Sequence, residues 1–199
     1  MDKQSQLCKI ASYVKNQFDK DATGHDFYHM QRVARIAKQI AYEEDADLFM
    51  TEMAAWLHDV GDDKLFANPQ AAIADMNQFL QKMGLSKKQI NELNQIIGEV
   101  SFRKGVMVPD RLETKIVQDA DRIDAIGAIG IARTFAYGGA AGQLLYDSFH
   151  PENTSFQHFY DKLFKLKDRM HTQTGKRLAE ERTQFLHLFA KEFLHEWES

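Results

Sequence analysis

Histidine and aspartate stand side by side at His58-Asp59, in MAAWLHDVGDDK, where an apolar run meets Gly61. Upstream, GHDFYHMQRVARIA sets His29 on the apolar face of a second helical run, and downstream IVQDADRIDAIGAIG sets Asp121 on a third. Two imidazoles and two carboxylates, each at the edge of an apolar helix, suggest one divalent metal ion held inside a helical bundle. The donor set is borderline-hard, so it suits Mn, Fe, Ni, Co or Zn better than Ca and leaves coordination positions for water. Adjacent residues on an ideal helix point about 100° apart. His58 and Asp59 reach one ion only where the helix ends, and Val60-Gly61 supplies that end. A single histidine on an apolar face is more often a core residue, so the weight lies on three such elements in order.

The elements that must carry these groups read as all-α. Leu7, Ile10, Ala11, Val14 and Phe18 mark a first amphipathic helix, and Cys8 is expected to be a small buried hydrophobe within it. His29, Val33, Ile36, Ala37 and Ile40 form a helical stripe. Asp45-Ala46-Asp47 can cap a third helix through His58; Asn68-Pro69 can open a fourth that ends near Gly84; Ser86 can cap a fifth. SFRKGVMVPDRLET reads as a loop, YGGAAG (137–142) as a flexible turn, and Asn153-Thr154 as the cap of a long helix through Met170. TGKRLAEER starts the last helix. One domain is expected over 1–199, with a core of about 1–143 and a C-terminal cap of about 152–199 built from a pair of long helices packed on it.

The chain has 199 residues, 44% hydrophobic and 27% charged, with a net charge of −4. No global basic field would draw it to nucleic acid or an anionic membrane. The N-terminal MDKQSQLCKI has no apolar signal region, and no run of about 18 apolar residues could span a bilayer. With one cysteine, no intrachain disulfide forms. A cytoplasmic location is the default expectation.

H-x-x-R-V (His29 to Val33), His58-Asp59 and DADRIDA (Asp119 to Ala125) resemble the HD superfamily of metal-dependent phosphohydrolases. GHDFYH, HDVGDDK, IVQDADRIDAIGAIGIARTFAYGG and TGKRLAEER extend the resemblance over nearly the whole chain, toward bacterial HD-domain proteins that include deoxynucleoside triphosphate pyrophosphohydrolases. The resemblance implies an HD-type helical bundle and metal ligands at His29, His58, Asp59 and Asp121. It makes Asp119 and Asp124 neighbours rather than direct ligands. Two-metal members add histidines between the HD pair and the last aspartate; Val60 to Ala120 holds none, so the resemblance implies one ion. Mn2+ is the first expectation, with Mg2+, Co2+, Ni2+, Fe2+ and Zn2+ as alternatives. The implied reaction is hydrolysis of a nucleotide, a nucleoside triphosphate giving monophosphate and pyrophosphate. The rivals are a nucleoside monophosphate phosphomonoesterase and a non-catalytic regulatory module that binds metal or nucleotide. The expected partner is a small-molecule nucleotide; the oligomeric state, a dimer included, stays open.

Supporting residues each carry two readings. Asp62 positions or deprotonates the attacking water, or is a solvated loop carboxylate. His25 donates to the leaving oxygen, or only precedes the helix that Asp26 caps. Arg32, one turn from His29, can clamp a phosphate in bidentate fashion. Lys64 and the basic loop Arg103-Lys104-Gly105 contact phosphates or face solvent. Lys162, Lys165, Lys176 and Arg177 read mainly as the wet face of the C-terminal helices.

Overall fold

A computed structural model of the chain describes residues 2–18, 25–100 and 108–199. Among them are α-helices, short 3-10 turns and one isolated β-bridge, Leu144 to Thr154, but no strand. The all-α class expected from the periodicity is therefore what the structure has. The chain divides into two compact units, Met1–Gln118 and Asp119–Ser199.

The first unit contains α1 (Lys3–Phe18), α2 (Phe27–Glu43), α3 (Leu48–Leu57), α4 (Pro69–Lys82) and α5 (Lys87–Val100), and the start of α6 (Leu112–Asp124). α3 lies along α2 and also touches α1 and α5. That enclosure explains its composition: Phe49, Met50, Met53, Ala54, Ala55, Trp56 and Leu57 are all buried, and Glu52, paired with Lys38 at 3.0 Å, is its one charged residue. α2 buries one stripe, with Met30, Val33, Ala37 and Ile40 fully enclosed beside His29. Met30, Val33 and Ile40 each contribute roughly 1.5–3 kcal/mol on burial.

Capping chemistry fixes the helix starts. The Asp26 carboxylate accepts from His29 N at 2.7 Å. Asp47 accepts from Phe49 N and Met50 N, both at 3.0 Å, and Asn68 from Ala71 N with Pro69 at the first helical position. Ser86 and Gln89 satisfy one another, Ser86 N donating to Gln89 Oε1 and Gln89 N to Ser86 Oγ. Each of these sites was legible as a cap in the sequence.

The second unit contains the end of α6, then α7 (Gly127–Ala140), α8 (Gln157–Asp161) and α9 (Gln173–Glu198). α7 packs on α9. Its core is aromatic: Phe156 stacks on Phe193 at 4.6 Å between centroids, and Phe159 on Phe189 at 5.8 Å.

Three sequence expectations fail. The long helix from Thr154 to Met170 is instead α8 followed by single 3-10 turns at Leu163–Lys165 and Lys167–Arg169. Lys162 leaves the helical region (φ −133°, ψ −56°), and the following amides bond three residues back while Phe159, Leu163, Leu166 and Met170 stay buried. Packing of the aromatic core outweighs helical continuity there. YGGAAG is not a turn throughout, because α7 continues through Ala140. Cys8 is exposed, because Leu7, Ile10 and Val14 set the inward direction and residue 8 points about 100° away from residue 7.

Gly61 ends the α3 turn with φ +85°, and a Cβ there would lie 2.6 Å from Ile73 Cγ1. Gly61→Ala is expected to lower stability by about 1–3 kcal/mol in urea unfolding. Gly84→Ala is the control: its φ is +91° but its Cβ would meet nothing, so it should lose less.

Candidate metal centre

The site is built where α3 stops. His58 is the C-cap of α3 (φ −60°, ψ −28°), and beyond it the amides close tighter turns, Val60 N to Leu57 O and Asp62 N to Asp59 O. This early stop turns the Asp59 side chain back toward His58, with Nε2 and Oδ1 3.4 Å apart. α2 delivers His29, fully buried, with Nε2 3.8 Å from Asp59 Oδ2. His25, one residue before the Asp26 cap, puts Nδ1 2.8 Å from the same oxygen. The rings of His25 and His29, and of His29 and His58, meet edge to face at 5.4 Å. One carboxylate therefore faces three imidazoles, and His25, His29 and Asp59 each offer a donor atom within 4.8 Å of the others.

The hydrogen-bond partners set the tautomers. His58 Nδ1 is 2.8 Å from Ala55 O. A carbonyl only accepts, so Nδ1 carries the hydrogen and the lone pair of the neutral ring sits on Nε2, which points at Asp59. A lone pair and a carboxylate oxygen at 3.4 Å repel unless a cation lies between them, either a proton or a metal ion. A backbone carbonyl on the far ring nitrogen is also how metal-binding histidines are held. The donor set thus fits a divalent ion. Burial alone pushes the Asp59 carboxyl up. With protons as the cations in the cluster, the charge on His58, then the His25 hydrogen bond and the charges on His25 and His29, outweigh it and hold Asp59 well below the usual carboxylate range.

A cavity of about 270 Å³ opens beside His58. Asp62 and Asp63 line it. Asp62 Oδ1 accepts from Lys64 N at 2.8 Å, and the Lys64 side chain is exposed. Arg32 is half-buried on α2. Arg103 and Lys104 lie outside the described residues. Lys162, Lys165, Lys176 and Arg177 are exposed, and Arg177 pairs with Glu181 at 3.3 Å.

In the second unit, Asp121 occupies the last turn of α6, half-buried. Its neighbours are committed elsewhere. Asp124 accepts from Arg133 Nη1 at 2.9 Å. Asp119 is fully buried and accepts from His171 N, Thr172 N and Thr172 Oγ1 at 2.8 to 3.1 Å. A Cβ on Gly175 would come within 2.4 Å of Asp119 Oδ2, so the first turn of α9 needs glycine there. Arg182 Nη1 donates to Ile123 O and Arg122 Nη1 to Arg169 O, both at 2.6 Å. Sequence reading missed this node. Its only local sign was the cap Thr172, whose hydroxyl accepts from Gly175 N.

The chain belongs to the HD domain family, which matches residues 26–126, the stretch holding His29, His58, Asp59 and Asp121. Proteins of this family hold a divalent metal through His and Asp, and the chain is an HD-superfamily hydrolase. It is 40% identical over 195 residues to the uncharacterized protein YpgQ of Bacillus subtilis, covering 96% of this chain and 94% of that one. The crystal structure of an HD-superfamily hydrolase from Bacillus thuringiensis is similar over the full length of both chains, with 41% identity and a TM-score of 0.86. The crystal structure of Bacillus subtilis YpgQ in complex with ADP is similar at 38% identity and a TM-score of 0.83, over 96% of this chain and 97% of that one.

Removing the Asp119 carboxylate strands buried donors from His171 and Thr172. Asp119→Ala is expected to cost about 2–4 kcal/mol in chemical unfolding. A loss below about 1 kcal/mol would mean that water replaces the carboxylate.

Proposed function

We propose that this hydrolase cuts a nucleoside triphosphate, deoxy in preference to ribo, into monophosphate and pyrophosphate with one divalent transition metal, manganese first. The carrying observation is the set of three imidazoles around the Asp59 carboxylate. In this reading His29, His58 and Asp59 hold the ion with Asp121 as fourth ligand, the last assigned by its place in DADRIDA. Bound there, such an ion polarises phosphoryl oxygens and makes water more acidic. The complex of YpgQ with ADP supports a nucleotide as the ligand class.

The protein groups then have separate tasks. Ala55 O keeps His58 in the Nδ1–H form and its ring fixed. His25, its Nδ1 on Asp59, is the group that gives a proton to the leaving oxygen. Asp62 stands on the same cavity wall as His58 and orients the attacking water. Arg32, Lys64, Arg103 and Lys104 hold the phosphate chain. A single phosphate needs one or two such contacts and a polyphosphate several, which favours the triphosphate.

Phosphorus NMR of the products tests the reaction. A nucleoside triphosphate should yield pyrophosphate, and Asp62→Asn should slow turnover about 10²–10⁴-fold while leaving metal content unchanged. Activity confined to monophosphates, with orthophosphate as sole inorganic product, would assign the site to a phosphomonoesterase. No metal-dependent hydrolysis would leave the binding module.

A further inference from the structure

The cavity beside His58 has a lining that sorts the two ends of a nucleotide. Its apolar lining includes Ile73 and Met76 of α4 and Ile97 of α5. Besides His58, its polar side chains are Asp62 and Asp63, whose carboxylates accept, and Asn94, whose amide nitrogen donates to Asn77 Oδ1 at 3.0 Å and leaves the amide oxygen to accept. Among the described residues no lysine or arginine lines it. Like charge therefore disfavours a phosphate chain inside. At about 270 Å³ it falls just short of the roughly 300–1,000 Å³ of pockets that enclose a whole drug-sized ligand. It has room for one ring system, not for a nucleoside triphosphate. Gly98 on α5 is among its lining residues, and a Cβ there would meet nothing within 4 Å.

We propose that this cavity seats the base of the substrate and selects a base with an exocyclic amino group. The proposal rests on the nucleotide reading above. The apolar wall takes the ring face. The acceptors of Asp63 and Asn94 take amino hydrogens, two of which adenine, cytosine and guanine each offer on one nitrogen. Thymine and uracil offer a single N3–H flanked by two carbonyls, whose lone pairs would be brought toward the Asp63 carboxylate. Phosphates attached to a base seated here must leave the cavity beside His58, which is among its lining residues.

The test uses nucleosides, which carry no phosphate for the metal to bind. Saturation-transfer NMR is run on the full chain with deoxyadenosine, deoxycytidine and thymidine, on wild type and on Gly98→Leu. Leucine raises helix propensity at this position, and its side chain enters open space. Deoxyadenosine and deoxycytidine should bind at least about threefold better than thymidine, the worth of one hydrogen bond. Gly98→Leu should abolish binding of both, while manganese binding by calorimetry stays within the wild-type error. Where Gly98→Leu also loses manganese, Gly98→Ala decides, and it must weaken nucleoside binding alone. No nucleoside signal, equal binding of thymidine, or binding that survives Gly98→Leu would overturn the proposal. Absence of metal-dependent hydrolysis in wild type would instead strike the functional reading, and the nucleoside result would still decide the cavity.

Discussion

The constraint on which the first unit depends is the half-buried Asp59 carboxylate facing three imidazoles. His58 has committed its Nδ1–H to Ala55, so a proton or a metal ion must lie between its Nε2 and Asp59. Packed donors and acceptors of this kind are stable only around a cation. The local folding follows from that need. α3 stops at Leu57 so that the next two side chains converge. Gly61 accepts the positive φ that the stop requires. α2 begins at Asp26 so that His29 lies one turn inside, on the buried stripe with Val33 and Ile36.

Hydrophobic burial supplies the rigidity that such a site demands. α3 is buried over most of its surface against other helices, and the polar pair at its end is thereby held against enclosed neighbours. Donors near helix ends, with the far ring nitrogen of His58 bonded to the Ala55 carbonyl, suit the geometry a divalent ion needs. In the second unit, Asp119, Asp124, Arg122 and Arg182 do comparable work around the end of α6, fixing backbone with side-chain charge.

Local chemistry made much of this legible in the sequence. The caps Asp26, Asp47, Asn68 and Ser86, the stripe on α2 and the stop at Gly61 each depend on residues within one or two turns. So does the meeting of His58 with Asp59. Features set by distant contacts stayed hidden. Asp119 reaches His171 and Thr172 across more than fifty positions, and no local pattern announces it. The break after Lys162 reflects aromatic packing on α9, which the helical spacing of Phe159, Leu163 and Leu166 concealed. The cavity wall at Asn94 and Gly98 read only as the polar side of a helix whose inward stripe was Leu93 and Ile97.

The central proposal is one divalent ion held by His29, His58 and Asp59, with Asp121 assigned from its motif as the fourth ligand. Crystals grown with manganese and measured for anomalous scattering test it most directly. The account predicts a single strong peak, with donor atoms of all four residues at about 2.0–2.3 Å. Two peaks about 3.5–4 Å apart, or a peak that leaves out His58 and Asp59, would contradict it.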